Sequence, residues 1–349
     1  MSLLEVTDLT VSFPTADGVV QAVRGVSYSV DRGRTLGIVG ESGSGKSVTA
    51  LTLLGLNAGA DITGSARFDG RDLLTMNEAE LRAIRGAEIA MIFQDPLSSL
   101  HPHYRVGWQI VELIRAHEAV SRRTARARAI ELLGMVGIPR PERRVDDYPH
   151  QFSGGMRQRA MIAMALALNP RLVIADEPTT ALDATVQAQI LDLLAKLQHE
   201  VDAALIMITH DLGVIAEIAD DVAVMYAGKV VEHAERRVLY YQPHHPYSTG
   251  LLGSIPGLDG PGQRLRPIPG QPPSLINVPP GCSFHPRCRY AMDTCRNLEP
   301  ALMPVTGVGH TSACWLPNEL VGTSEQVDAE RQAYAERHRG VRVAGGEAR

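Results

Sequence analysis

The segment Gly40-Glu41-Ser42-Gly43-Ser44-Gly45-Lys46-Ser47 carries the clearest chemistry in the sequence. Its glycines let backbone N–H groups converge on phosphate oxygens, Lys46 can reach the outer phosphates, and the Ser47 hydroxyl can ligate magnesium. That is chemistry for binding a nucleoside triphosphate. A plain glycine-rich turn would look similar in isolation, but here a short apolar strand precedes the segment and a helical run follows it. A second signal is Leu172-Val173-Ile174-Ala175-Asp176-Glu177, a buried strand ending in two carboxylates. Asp176 can hold magnesium and Glu177 can polarise an attacking water. Alone, such a pair would equally suit a helix cap. A third signal, Phe152-Ser153-Gly154-Gly155-Met156-Arg157-Gln158, opens another helical run. A serine and two glycines at a helix N-terminus make a second anion site, and a single nucleotide fold needs only one.

A separate chemistry gathers near the C-terminus. All four cysteines, Cys282, Cys288, Cys295 and Cys314, fall in one stretch, and the first 281 residues contain none. In a chain without an export signal such a cluster reads as a metal site before it reads as disulfides. Four thiolates suit tetrahedral zinc or an iron-sulfur cluster. The spacing C-x5-C-x6-C-x18-C lacks the tight C-x2-C pair frequent in structural zinc sites.

These residues need elements to hold them. Residues 1–31 alternate apolar and polar positions with Asp17-Gly18 as a hairpin turn, which predicts a small antiparallel sheet. Thr35-Leu36-Gly37-Ile38-Val39 predicts a strand entering the phosphate loop, with a helix over 47–56 behind it. Further apolar runs end at Gln94, Asp176 and Thr209-His210. Continuous apolar strands alternating with helices predict a parallel sheet covered on both faces, whose ligands collect at the strands' carboxyl ends. Residues 96–160 read as a helical insertion, with helices over 108–116 and 121–136; Ser121 caps the second and Gly137 ends it. A further helix is predicted over 156–168. From Gln242 onward proline and glycine become dense, so regular elements there should be short. The tail, 325–349, is charged and poor in core formers, which predicts a frayed helix or disorder.

The 349 residues, 44% of them hydrophobic, suffice for one large domain and a smaller one. No stretch approaches the roughly 18 to 20 apolar residues of a membrane-spanning helix, and no basic-then-apolar leader begins the chain. The expectation is a soluble, unexported protein whose membrane association comes through another protein. A net charge of −5 gives no reason to expect a nucleic-acid partner.

With all these motifs in order, residues 1 to about 232 resemble an ATP-binding cassette subunit. The resemblance implies a P-loop NTPase (RecA-like) α/β core with an N-terminal antiparallel β subdomain, a helical insertion and a small irregular C-terminal extension. Gly40, Ser42, Gly43, Ser44, Gly45, Lys46, Ser47 and Val48 would bind ATP, with Phe13 stacking on adenine. Gln94 would sense the γ-phosphate and contact a membrane subunit. Ser47, Gln94 and Asp176 would serve Mg2+; Glu177 and the switch histidine His210 would be catalytic. Ser153, Gly154, Gly155 and Met156 match the signature motif, and Ala181-Leu182-Asp183 the dimer-contacting loop, so that two subunits would sandwich two ATP molecules. Phe152 and Met156 depart from the commoner leucine and glutamine.

His245-Pro246-Tyr247-Ser248, Gly270-Gln271-Pro272-Pro273 and Gly281-Cys282-Ser283-Phe284-His285-Pro286-Arg287-Cys288 resemble the extension of ATPases serving dipeptide, oligopeptide and nickel importers. This implies a cassette over 1–235, an extension over 236–320 and a tail over 321–349. It also implies a four-iron four-sulfur cluster on Cys282, Cys288, Cys295 and Cys314, with Zn2+ as the alternative. The implied partners are a second, related ATPase (a heterodimer), two transmembrane permease subunits and an extracellular or periplasmic substrate-binding protein, at the cytoplasmic face of the cell membrane. A nickel importer or a non-transport ATPase of the same family would be the other functions; the latter usually carry two cassettes in one chain.

Overall fold

The computed structural model describes residues 2–180, 182–255, 267–305 and 309–339. The alternating N-terminal segment forms a hairpin of β1 (Ser2–Thr15) and β2 (Gly18–Asp31), turning at Ala16-Asp17, one residue before the predicted Asp17-Gly18, with Gly18 already paired to Thr15. β3 is Thr35–Val39, followed by β4 (Asp61–Phe68) and β5 (Arg71–Asp72), and the first sheet is antiparallel in the order β2-β1-β4-β5. The remaining strands are β6 (Ile89–Ile92), β7 (Leu172–Asp176), β8 (Ala204–Thr209), β9 (Asp221–Tyr226), β10 (Lys229–Glu235), β11 (Met303–Pro304) and β12 (Thr311–Ser312). They join β3 in a second sheet of order β11-β12-β10-β9-β3-β8-β7-β6, parallel from β9 to β6.

The central parallel strands β3, β7 and β8 are buried throughout because both faces are covered. In β8, Ile206 and Ile208 join the apolar core beneath the antiparallel sheet, while Leu205 and Met207 join the core on the helical side. Ile110, Ile114, Ala129 and Leu133 bring the insertion into that second core through helices Val106–His117 and Arg122–Met135. Ser121 Oγ accepts the N–H of Thr124 at 3.1 Å, and Gly137 follows the helix with φ 75°, as the capping residues predicted.

Two features differ from the expectation. The extension is continuous with the cassette: β12 pairs with β10 and carries β11 with it, far beyond residue 235. A buried knot holds this junction. Glu232, on β10, accepts the N–H groups of His244 and His245 at 2.6 and 3.0 Å and pairs with His310 Nε2 at 2.7 Å. Burial opposes its charge, yet these donors hold the carboxyl below the ordinary range.

The tail, predicted as a frayed helix or disorder, forms an anchored helix over Glu325–Arg337; residues 340–349 lie outside the described residues. Beside a small apolar contact through Ala335, its main polar anchor is an arginine. Arg331 is 1% exposed and donates to the carbonyls of Leu320, Pro243 and His244 and to Thr249 Oγ1. Replacing Arg331 by Ala strands these buried acceptors, each worth about 1–3 kcal/mol when left unpaired. The expected result is early hydrogen exchange across 325–337 with β3 and β8 still protected. Unchanged protection of the helix would refute the anchor.

Candidate nucleotide site

β3 delivers the chain to the phosphate loop, and the local geometry requires its glycines. Gly45, at φ 99°, would put a Cβ 2.3 Å from the Ala22 carbonyl, and Gly40 would put one 2.2 Å from that of Met225. Helix Lys46–Leu53 starts immediately afterwards, so the loop's N–H groups and the helix dipole address one point. Lys46 is buried, its Nζ donating to the carbonyls of Gly40 and Glu41 at 2.7 and 3.0 Å. Burial lowers its pKa, opposed by the nearby carboxylates Glu177, Asp176 and Glu41.

The ends of neighbouring strands complete the site. Asp176 closes β7 and accepts the Ser47 hydroxyl at 3.0 Å; burial raises its carboxyl pKa, which a bound cation would reverse. Glu177 follows with φ 47°, a left-handed conformation uncommon for glutamate and held by its N–H bond to the Ile208 carbonyl at 2.8 Å. Its Oε2 accepts from Gln94 Nε2 at 3.1 Å and from Thr180 Oγ1 at 2.9 Å, while His210 Nδ1 lies 3.3 Å from Oε1. Carboxylate, glutamine and histidine thus meet at the carboxyl ends of β6, β7 and β8. They line a cavity of about 800 Å³ with residues 40–48, large enough for a nucleotide.

Other predicted site residues lie elsewhere. Phe13 sits on β1 opposite Val20, half-buried against the same core as Val48, and does not line the cavity. Ser153 caps helix Gly154–Ala165, its Oγ accepting the Met156 N–H at 3.3 Å, and remains exposed outside the cavity. Asp183 likewise caps helix Ala184–Val201, while Ala181 lies outside the described residues. Phe152, where the signature departs from leucine, is a buried core residue, so the change preserves an apolar anchor.

A family model described as "ABC transporter" matches residues 23–180, and one described as "Oligopeptide/dipeptide transporter, C-terminal region" matches 231–295. The chain is 52% identical to the oligopeptide transport ATP-binding protein OppD of Salmonella typhimurium, over 91% of this chain and 94% of that one. It is 49% identical to the dipeptide transport ATP-binding protein DppD of Escherichia coli, over 92% and 99%. The chain belongs to the ABC transporter ATP-binding subunits. Its fold agrees with the dimeric post-hydrolysis structure of the ATP-binding cassette MJ0796 bound to ADP and Pi, at TM-score 0.61 and 30% identity over 67% of this chain and 99% of that one.

As an ABC ATP-binding subunit it hydrolyses ATP, with Mg2+, to energise transport. No helix among the described residues is long and apolar enough to cross a membrane. Sequence reasoning missed part of the wall of this candidate nucleotide cavity: Thr180 and, from the extension, Leu251, Ser254, Pro267 and Ile268. No local motif marks them, since an irregular proline-rich segment shows no periodicity.

The four cysteines of this ABC subunit are not disulfide-bonded and line one small apolar cavity with Tyr290, Met292 and Leu316. Burial pushes the Cys282 thiol up to about 11 and Cys288 to about 12. A soft four-sulfur donor set fits iron-sulfur or zinc chemistry. Among the described residues, however, no three ligand side chains stand at metal-binding separation, and the cavity's free space is about 20 Å³, near that of one water.

Proposed function

We propose that this subunit powers import of oligopeptides or dipeptides across the cytoplasmic membrane from its cytoplasmic face. The observation that carries the reading is the division of its anion sites: the phosphate loop lines the cavity, while the helix start at Ser153–Gly155 lies outside it, with Ser153 and Gly154 exposed and Gly155 half-buried. Such a surface suits a partner's ATP. In the proposed assembly, Gly40 to Val48 hold the phosphates, and Ser47 and Asp176 serve Mg2+ with Gln94 near it. Glu177 orients the attacking water with the switch histidine His210 beside it, and Gln94 senses the γ-phosphate. Ser153, Gly154, Gly155, Met156 and Asp183 close over the ATP of a second, related ATPase. Phe13 would complete the adenine platform.

The permeases would dock near Gln94, where Phe93 and Tyr104 are exposed and Tyr104 stacks on Trp108 with centroids 4.2 Å apart. The match of the C-terminal region to peptide transporters favours peptide cargo over nickel, and favours transport over a non-transport ATPase. Cargo selection would rest with the substrate-binding protein and permeases. Cys282, Cys288, Cys295 and Cys314 would hold a four-iron four-sulfur cluster that staples a proline-rich segment with little core of its own. Zinc is the competing occupant.

Co-purification of the complex, reconstitution in vesicles and ATP-dependent uptake of labelled peptide against nickel test the function. Peptide uptake that needs ATP is expected; nickel uptake alone would overturn the peptide reading. Anaerobic purification followed by iron and acid-labile sulfide analysis tests the cluster. Stoichiometric zinc without iron would sink it.

A further inference from the structure

The phosphate loop is held from outside the cassette. Arg287, in the turn between Cys282 and Cys288, reaches Glu41 with two parallel bonds, Nη1 to Oε2 at 2.5 Å and Nη2 to Oε1 at 2.9 Å. The arginine side chain is 5% exposed and the glutamate 27%. Two more of its donors are engaged, Nε with the Pro269 carbonyl at 2.9 Å and Nη1 with the Tyr226 hydroxyl at 3.4 Å. The backbone of Glu41 is gripped as well, because its N–H donates to the Tyr247 hydroxyl at 2.8 Å. Tyr226, Tyr247 and Phe284 pack together around these contacts, with ring centroids 4.6 to 5.3 Å apart. On the loop's inner side, Lys46 rests on the carbonyls of Gly40 and Glu41.

We propose that Arg287 is a positioning residue for ATP binding: with Tyr247 it fixes Glu41, and thereby the backbone against which Lys46 rests, making the C-terminal extension part of the nucleotide site. A paired fork is suited to this task. It sets both the distance and the plane of a carboxylate, which the single point charge of lysine does not. The Glu41 carboxylate and N–H face the extension, while its carbonyl accepts from Lys46 on the side of the site. The loop's shape is therefore shared between two segments 246 residues apart.

This inference rests on the reading of residues 40–48 as the ATP site. It is tested by titrating the full-length chain with a fluorescent N-methylanthraniloyl ATP and Mg2+. Arg287→Met, Arg287→Lys and Glu41→Gln are each expected to weaken binding by about tenfold, the scale of a disturbed buried ion pair transmitted to the loop. The double variant Arg287→Met with Glu41→Gln is expected to be no weaker than the worse single one, because neither partner is then left as a buried unpaired charge. Tyr247→Phe keeps the ring, removes the acceptor of the Glu41 N–H, and should weaken binding in the same direction. Thermal melting of each variant separates positioning from general support. Lowered melting temperatures with wild-type nucleotide affinity, or additive losses in the double variant, would overturn the proposal. Should the arginine variants fail to fold, the near-isosteric Glu41→Gln decides alone. A wild-type chain that binds no nucleotide would instead refute the assignment of the ATP site.

Discussion

Glu177→Gln subunits are expected to bind ATP with near-normal affinity and to lose turnover by about a hundredfold or more, the usual scale for removing a general base. The substitution isolates one property. An amide oxygen can still accept from Gln94 and Thr180, which both donate to Oε2, and the backbone bond to Ile208 is untouched. The left-handed φ of 47° is equally uncommon for glutamine, so the fold carries the same strain in both proteins. What disappears is the negative charge that polarises water beside the γ-phosphate. Phosphate release by the complex with its permeases present, set beside nucleotide titration, gives the answer. Hydrolysis within about threefold of wild type would remove Glu177 from the catalytic role.

The second large effect is expected from Gly154→Asp, a change the isolated subunit should accept. A Cβ added at Gly154 meets nothing within 4 Å, and an acidic residue in the first turn of helix Gly154–Ala165 favours the helix dipole. Stability should hold or rise slightly. In the assembled pair, however, the same carboxylate would stand where a partner's phosphate is to be received, and like charges at about 4 Å in a partly desolvated interface oppose each other by several kcal/mol. Binding to the variant's own phosphate loop should survive while ATP-driven association with the partner ATPase and turnover fall by about a hundredfold. Sedimentation with non-hydrolysable ATP and steady-state hydrolysis report these separately. Normal association would mean that the exposed helix start does not meet nucleotide. Gly155 is the poorer position for this experiment, because its Cβ would lie 3.0 Å from Val186 and confuse packing with charge.

The chemistry that could be read from the sequence was local in the chain. A strand, a glycine-rich turn and a helix N-terminus within residues 35–53 determine the phosphate loop, and unbroken apolar runs reveal β3, β7 and β8 because both sheet faces are covered. The two-residue strands β11 and β12 carry too little pattern to be seen, so the continuity of the extension with the sheet stayed hidden. Arg331 misled for a different reason. A charged residue normally argues for solvent, yet here its guanidinium gathers carbonyls from Pro243, His244 and Leu320, and composition cannot register a helix fixed by polar bonds. The Glu232 knot and the Glu41–Arg287 pair join residues 78 and 246 positions apart at their longest, with no periodicity to connect them.

The Arg287 clamp also has a consequence in time. A ribosome makes Glu41 long before Arg287, and at about 5 to 20 residues per second the intervening 246 residues take roughly 12 to 50 seconds. During that interval the nascent phosphate loop stands without its outer support, in a cell full of nucleotide. The phosphate loop of the proposed ATP site, made early, is therefore among the last parts to be finished, and a chain truncated before the cysteine-bearing turn emerges with its motifs complete but its loop unheld.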